Sequence, residues 1–125
     1  MRYRLTLITS VIIIILSIIP IPEIKHLDGV PLIDKWVHCV MYGFLTFVIY
    51  IDHRLTKRDI NIKFIVSAFL SSAILGGLLE LIQEYCTTCR SGELLDFYAD
   101  AIGALLGSIL SVLIWITLAK FSNQR

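Results

Sequence analysis

Three short polar runs interrupt an otherwise apolar chain, and their residue types are those that do chemistry. The first holds Asp34, Lys35, His38 and Tyr42. The second holds Glu80, Gln83 and Glu84, and the third Asp96 and Asp100, with Arg90 between these last two. Carboxylates beside an imidazole are the groups that move protons in general acid–base catalysis, and His38 with Glu80 is the candidate pair. The same side chains, helped by Lys35 and Arg90, can instead hydrogen-bond and charge-match a polar head group. No serine or cysteine stands clearly beside a base, so a nucleophile for covalent catalysis is not evident; Cys86 and Cys89 are only loop candidates.

Spacing assigns these residues to shared helix faces. Asp34, His38 and Tyr42 fall at i, i+4 and i+8, while Glu80, Gln83 and Glu84 fall at i, i+3 and i+4. Asp96, Asp100, Gly103 and Gly107 fall at i, i+4, i+7 and i+11. At about 3.6 residues per turn each set forms one stripe, and three polar stripes on apolar helices are expected to face one another. Each residue also has a plainer reading. Asp34 and Asp96 can be N-caps, His38 can belong to a structural network, and Arg90 can pair with Asp96 or Glu80. Tyr42 and Trp36 can be interfacial anchors. Glu84 and Glu93 are expected to be solvated.

The elements that carry the stripes follow from composition. Of 125 residues, 57% are hydrophobic and only 17% charged, against roughly 45–50% and about 25% in soluble domains. Disorder is excluded, and eleven basic against ten acidic residues leave no excess to grip nucleic acid. Four apolar stretches approach the roughly 20 residues needed to span a bilayer as helix. They predict an all-α, four-helix transmembrane bundle forming one domain over 1–125, with helices at about 5–22, 36–51, 64–84 and 97–119. Barrel strands are excluded because the runs do not alternate. The first run follows Arg2 and Arg4 as a signal peptide would. It lacks a small-x-small cleavage site, reading Ser-Ile-Ile-Pro-Ile-Pro from Ser17, and a retained helix is expected.

Lys and Arg counts set the orientation. Two precede the first helix, four lie in the second connection and two in the tail, against three in the first and third connections together. Both termini are expected in the cytoplasm, with the polar stripes at the outer face and nearly pure hydrocarbon in the inner halves. Gly103 and Gly107 give the fourth helix a smooth strip for close packing, as do Ala68, Ser72 and Gly76 on the third. The same glycines permit a homo-oligomer. Cys86 and Cys89 in an outward loop allow a disulfide in an oxidising compartment. A zinc site there would want two more ligands, so neither metal nor cofactor is expected.

In series, Asp34-Lys35-x-x-His38-x-x-x-Tyr42, Glu80-x-x-Gln83, Arg90, Asp96 and Gly103 resemble the VanZ-like membrane proteins, whose pattern runs D-K-x-x-H…Y…E-x-x-Q…R…D-x-x-x-N-x-x-G. The resemblance covers Ile33 to Gly107. It implies a small multi-pass protein of the bacterial cytoplasmic membrane. The family is named for a protein associated with teicoplanin resistance, and no reaction is firmly assigned to it. Asp100 stands where the family usually has Asn, which replaces an amide donor by a carboxylate; Cys39 stands where an aromatic is common. Three functions follow as expectations. The first is recognition of a polar-headed envelope amphiphile (a membrane lipid, a lipid-linked cell-wall precursor or a lipoglycopeptide) by Asp34, Lys35, His38, Tyr42, Glu80, Gln83, Arg90, Asp96 and Asp100. The second is an intramembrane hydrolase or transferase using His38 and Glu80. The third, an oligomeric transporter, is disfavoured because no polar relay is evident in the inner halves.

Overall fold

The computed structural model describes residues 3–19, 32–56, 58–86 and 92–122, and all regular structure among them is helical. The elements are α1 (Arg4–Ile18), α2 (Ile33–Leu55), α3 (Ile62–Cys86) and α4 (Leu94–Ser122). Two of them, α3 and α4, are long and apolar enough to cross a membrane, with mean hydropathies of 2.0 and 2.3. At about 1.5 Å per residue both exceed a hydrocarbon core about 30 Å thick. By contrast, α1 is apolar but only 15 residues long. It ends at Ile18, where Ile19 turns extended, short of the expected end at residue 22; residues 20–22 lie outside the described residues.

Two helices begin about three residues earlier than their apolar runs suggest. Asp34 and Asp96 consequently lie in the first turns of α2 and α4 and do not cap them. There they still favour the helices, because a carboxylate near a helix N-terminus meets the positive end of the macrodipole. Leu32 stands at the cap position of α2 with φ 58° and contributes no side-chain bond. A true cap does open α3, where Asn61 Oδ1 accepts the Phe64 N–H at 2.9 Å.

Neighbouring helices run antiparallel, and α2 touches all three others while α1 and α4 do not meet. The broadest interface joins α2 to α4, which run parallel. Their register is fixed from end to end by Lys35 beside Asp96, His38 beside Asp100 and the Arg54 guanidinium over Trp115. Between those points the backbones themselves meet. A Cβ on Gly103 would run into the Cys39 carbonyl, and one on Gly107 into the Gly43 carbonyl. The glycine strip is thus used inside the chain, against Cys39-x-x-x-Gly43 of α2. On α3, the expected small strip of Ala68, Ser72 and Gly76 is buried as well.

The polarity of the bundle is inverted. Exposed positions carry Ile74, Leu78, Leu105, Ile109 and many similar side chains, whereas Thr46, Ser72, Asp100 and Ser111 are within 1% of complete burial. The end of the bundle opposite the three stripes is also more polar than expected. Asp52 Oδ2 accepts both the backbone N–H and the hydroxyl of Thr6, at 2.7 and 2.8 Å. His53 stacks on Phe64 and joins Tyr3 OH to the Asp59 carbonyl. Asp52 and His53 follow the apolar run and so read as connection, but α2 continues through them to Leu55. Deeper in, Thr46 Oγ1 reaches Ser72 Oγ at 2.8 Å.

Asp52 therefore ties α1 to α2. Bonds to a charged acceptor contribute about 1.5–3 kcal/mol each, so Asp52→Ala is expected to lower the unfolding free energy by about 2 kcal/mol. Thermal unfolding in detergent, followed by circular dichroism, measures this. An unchanged melt would show that α1 is held without the Asp52 bonds.

Candidate functional site

Three helix ends converge on one polar cluster: the start of α2, the end of α3 and the start of α4. Among the described residues, Lys35 is the cation of its outer layer. Its Nζ lies 2.6 Å from Glu93 Oε2, 2.7 Å from Asp96 Oδ1 and 3.3 Å from Asp34 Oδ2. Partial burial works against its charge, but the bonds to Asp96, Glu93 and Asp34 outweigh that and hold its pKa above that of an ordinary lysine. The charge expected to hold an anionic head group is thus matched by three carboxylates of the chain itself.

One turn deeper lies the inner layer. His38 Nδ1 is 2.9 Å from Asp100 Oδ1 and 3.7 Å from Glu80 Oε1. All three side chains are more than nine-tenths buried. A carboxylate oxygen and an imidazole nitrogen at 2.9 Å share one proton, the arrangement that orients an imidazole for proton transfer. Glu80 is anchored by its other oxygen, where Oε2 accepts the Glu93 N–H at 2.9 Å. Asp100 is seated against Gly76, since a Cβ there would come within 2.5 Å of Asp100 Oδ2. Tyr42 follows on the same face of α2 and is almost fully buried.

The other expected residues divide. Gln83 turns to α1, donating from Nε2 to the Ser17 carbonyl at 2.8 Å. Arg90 and Cys89 lie outside the described residues, and with them the Cys86–Cys89 pairing; Cys86 closes α3 at an exposed position. Glu84 and Glu93 are exposed, as expected, and each makes a contact as well. Glu84 Oε2 accepts the Gly92 N–H at 3.1 Å, and Glu93 pairs with Lys35. Glu93 is the member of the cluster that the spacing argument passed over, because it lies before the start of α4 and off any helical stripe.

Beside the cluster, α3 and α4 enclose a groove of about 450 Å³. Glu80, Glu84, Gly92 and Glu93 form its polar end, and Ile74, Leu78, Leu81, Tyr85, Leu94 and Phe97 form its walls. Gly77 makes room for the Phe97 ring, whose Cε2 would be 3.2 Å from a Cβ at that position. Counting Asp34, Glu80, Glu93, Asp96 and Asp100, the described cluster sets five carboxylates against Lys35 and His38. Such a site offers acceptors to hydroxyl, amine or metal-ion partners more readily than it offers donors to phosphate. Compared with family models, curated proteins and solved structures, the chain finds no match in any of the three.

Proposed function

We propose that the chain is a four-span membrane protein of the VanZ-like kind whose outward end recognises the head group of a cell-envelope amphiphile. The observation that carries this reading is the groove between α3 and α4, polar at one end and apolar along its length. That is the shape of an amphiphile, with carboxylates placed for hydroxyl or amine groups and a wall of Leu, Ile and Phe for a chain. A membrane lipid, a lipid-linked cell-wall precursor and a lipoglycopeptide such as teicoplanin all have that form, and binding the last would contribute to glycopeptide resistance. The inverted polarity of the bundle suits lipid surroundings. In the antiparallel helix order, the start of α1, the end of α4 and the described part of the connection between α2 and α3 lie at the end of the bundle opposite the cluster. By the charge rule that side is cytoplasmic, in a bacterial inner membrane.

A second reading rests on the inner layer. With Asp100 orienting His38 and Glu80 nearby, the same head group can be a substrate for acid–base hydrolysis or transfer rather than a ligand.

Mass spectrometry of amphiphiles co-purifying with the full chain separates these. The wild type is expected to retain one amphiphile class well above its membrane abundance. Gly77→Leu, which puts a side chain into the groove against the Phe97 ring and leaves every carboxylate in the sequence, is expected to reduce that enrichment at least about tenfold, a loss of about 1.4 kcal/mol. A binder should be weakened by Glu80→Gln, whereas an enzyme so altered should hold more uncleaved substrate than the wild type. Equal lipid profiles in all three proteins would end the amphiphile reading.

A further inference from the structure

We propose that His38, Glu80 and Asp100 form a binding centre for one divalent transition-metal ion. The three residues come from three different helices, and their donor atoms all lie within 4.8 Å of one another. The spacings suit shared coordination. Ligand atoms about 2.1 Å from a common ion lie about 3.0 Å apart at right angles and about 3.4 Å apart in a tetrahedron. His38 Nδ1 is 2.9 Å from Asp100 Oδ1 and 3.7 Å from Glu80 Oε1, values on either side of that range. An ion there takes the place of the proton shared between His38 and Asp100.

Charge and orientation agree with the distances. Lys35 answers the outer carboxylates Asp34, Glu93 and Asp96, so among the described residues His38 is the basic group that faces the buried Glu80 and Asp100. Two carboxylates and a neutral imidazole balance a divalent cation, which removes the cost of burying uncompensated charge. Each carboxylate is also held from behind, Glu80 by the Glu93 N–H and Asp100 by its seat on Gly76. Such outer contacts are what fix metal ligands in orientation. A second convergent set, Asp34, His38 and Asp96, shares His38 and includes the exposed Asp34, giving an ion a route inward.

The donor set also selects the ion. Nitrogen from imidazole suits Zn²⁺ or Fe²⁺ rather than Mg²⁺ or Ca²⁺, which prefer oxygen throughout. Three protein ligands leave a coordination position open, as in metal sites that act on a bound oxygen rather than merely brace a fold. Glu80 lines both this centre and the neighbouring groove. The metal centre nonetheless goes beyond the amphiphile reading and can stand or fall separately.

The test uses the full chain in detergent, stripped with chelator and titrated with Co²⁺ as a spectroscopic probe, then with Zn²⁺ as competitor. One Co²⁺ per chain is expected, with visible d–d absorption, no thiolate charge-transfer band, and displacement by Zn²⁺. Asp100→Asn, nearly isosteric, and His38→Gln should each weaken Co²⁺ at least about tenfold, with helicity checked by circular dichroism. Cys86→Ser should leave binding unchanged. Absence of saturable binding overturns the proposal, as does binding that survives both substitutions or vanishes with Cys86→Ser. Should His38→Gln fail to fold, wild-type stoichiometry and Asp100→Asn decide the matter. No lipid enters these readouts, so an empty groove and an absent metal centre are separate results.

Discussion

Gly103→Ala is expected to lower the unfolding free energy of the bundle by about 3 kcal/mol, and Gly107→Ala by a similar amount. Overpacking a filled interior commonly costs about 1–3 kcal/mol, and these positions belong at the upper end. The atom met by each new Cβ is a backbone carbonyl, Cys39 O in one case and Gly43 O in the other. A carbonyl held in a helix cannot rotate aside as a side chain can, so α2 and α4 must separate. Gly43 supplies the internal comparison. There the nearest atom to an added Cβ is Gly103 O at 3.1 Å, which needs only a few tenths of an ångström of give. The intrinsic preference of helices for Ala over Gly, about 1 kcal/mol, then offsets the crowding, and Gly43→Ala is expected within about 1 kcal/mol of wild type. Unfolding in detergent followed by circular dichroism ranks the three. Equal effects at all three positions would mean that the α2–α4 seam is not a backbone contact.

That seam is one of the parts of the molecule legible in the sequence. The small-x-x-x-small spacing of Gly103 and Gly107 announces close approach, because only a missing side chain lets helices come that near. What the spacing does not say is which helix approaches, and a second copy was as open a choice as α2. The polar cluster was legible for a similar reason: polar groups on apolar helices have few places to go except toward one another. Its partners were not. His38, Glu80 and Asp100 are separated by 42 and 20 residues, and no short-range spacing records that their donor atoms converge. Gln83 matched the stripe of Glu80 and yet turns to α1, since a face wide enough for two neighbours does not specify which. The hydroxyls in the middle of the bundle were passed over because Thr46 and Ser111 can satisfy themselves on the carbonyl four residues earlier. Only the fold reveals that Thr46 also meets Ser72.

His38→Leu is expected to be the most damaging single change in the cluster, costing about 3–5 kcal/mol, the usual loss when one member of a buried charged set is removed. It leaves Asp100 and Glu80 buried, facing one another's charge without the ring between them. The informative variant is the double replacement His38→Leu with Asp100→Leu. Apolar side chains of similar size in place of a buried ionic pair are often neutral and sometimes stabilising, so the double variant is expected to recover most of that loss, with Glu80 keeping its bond from the Glu93 N–H. Such a rescue means that the pair is not required for stability, and its place in the chain must then be explained by what it binds. The same protein should accordingly lose Co²⁺ binding completely while its helices remain intact and its melt largely recovers. If the double variant instead unfolds as easily as His38→Leu alone, the cluster is a structural network that pins α2, α3 and α4 together. A stable double variant that still binds Co²⁺ would move the metal to other ligands, and with it the chemistry assigned to this end of the bundle.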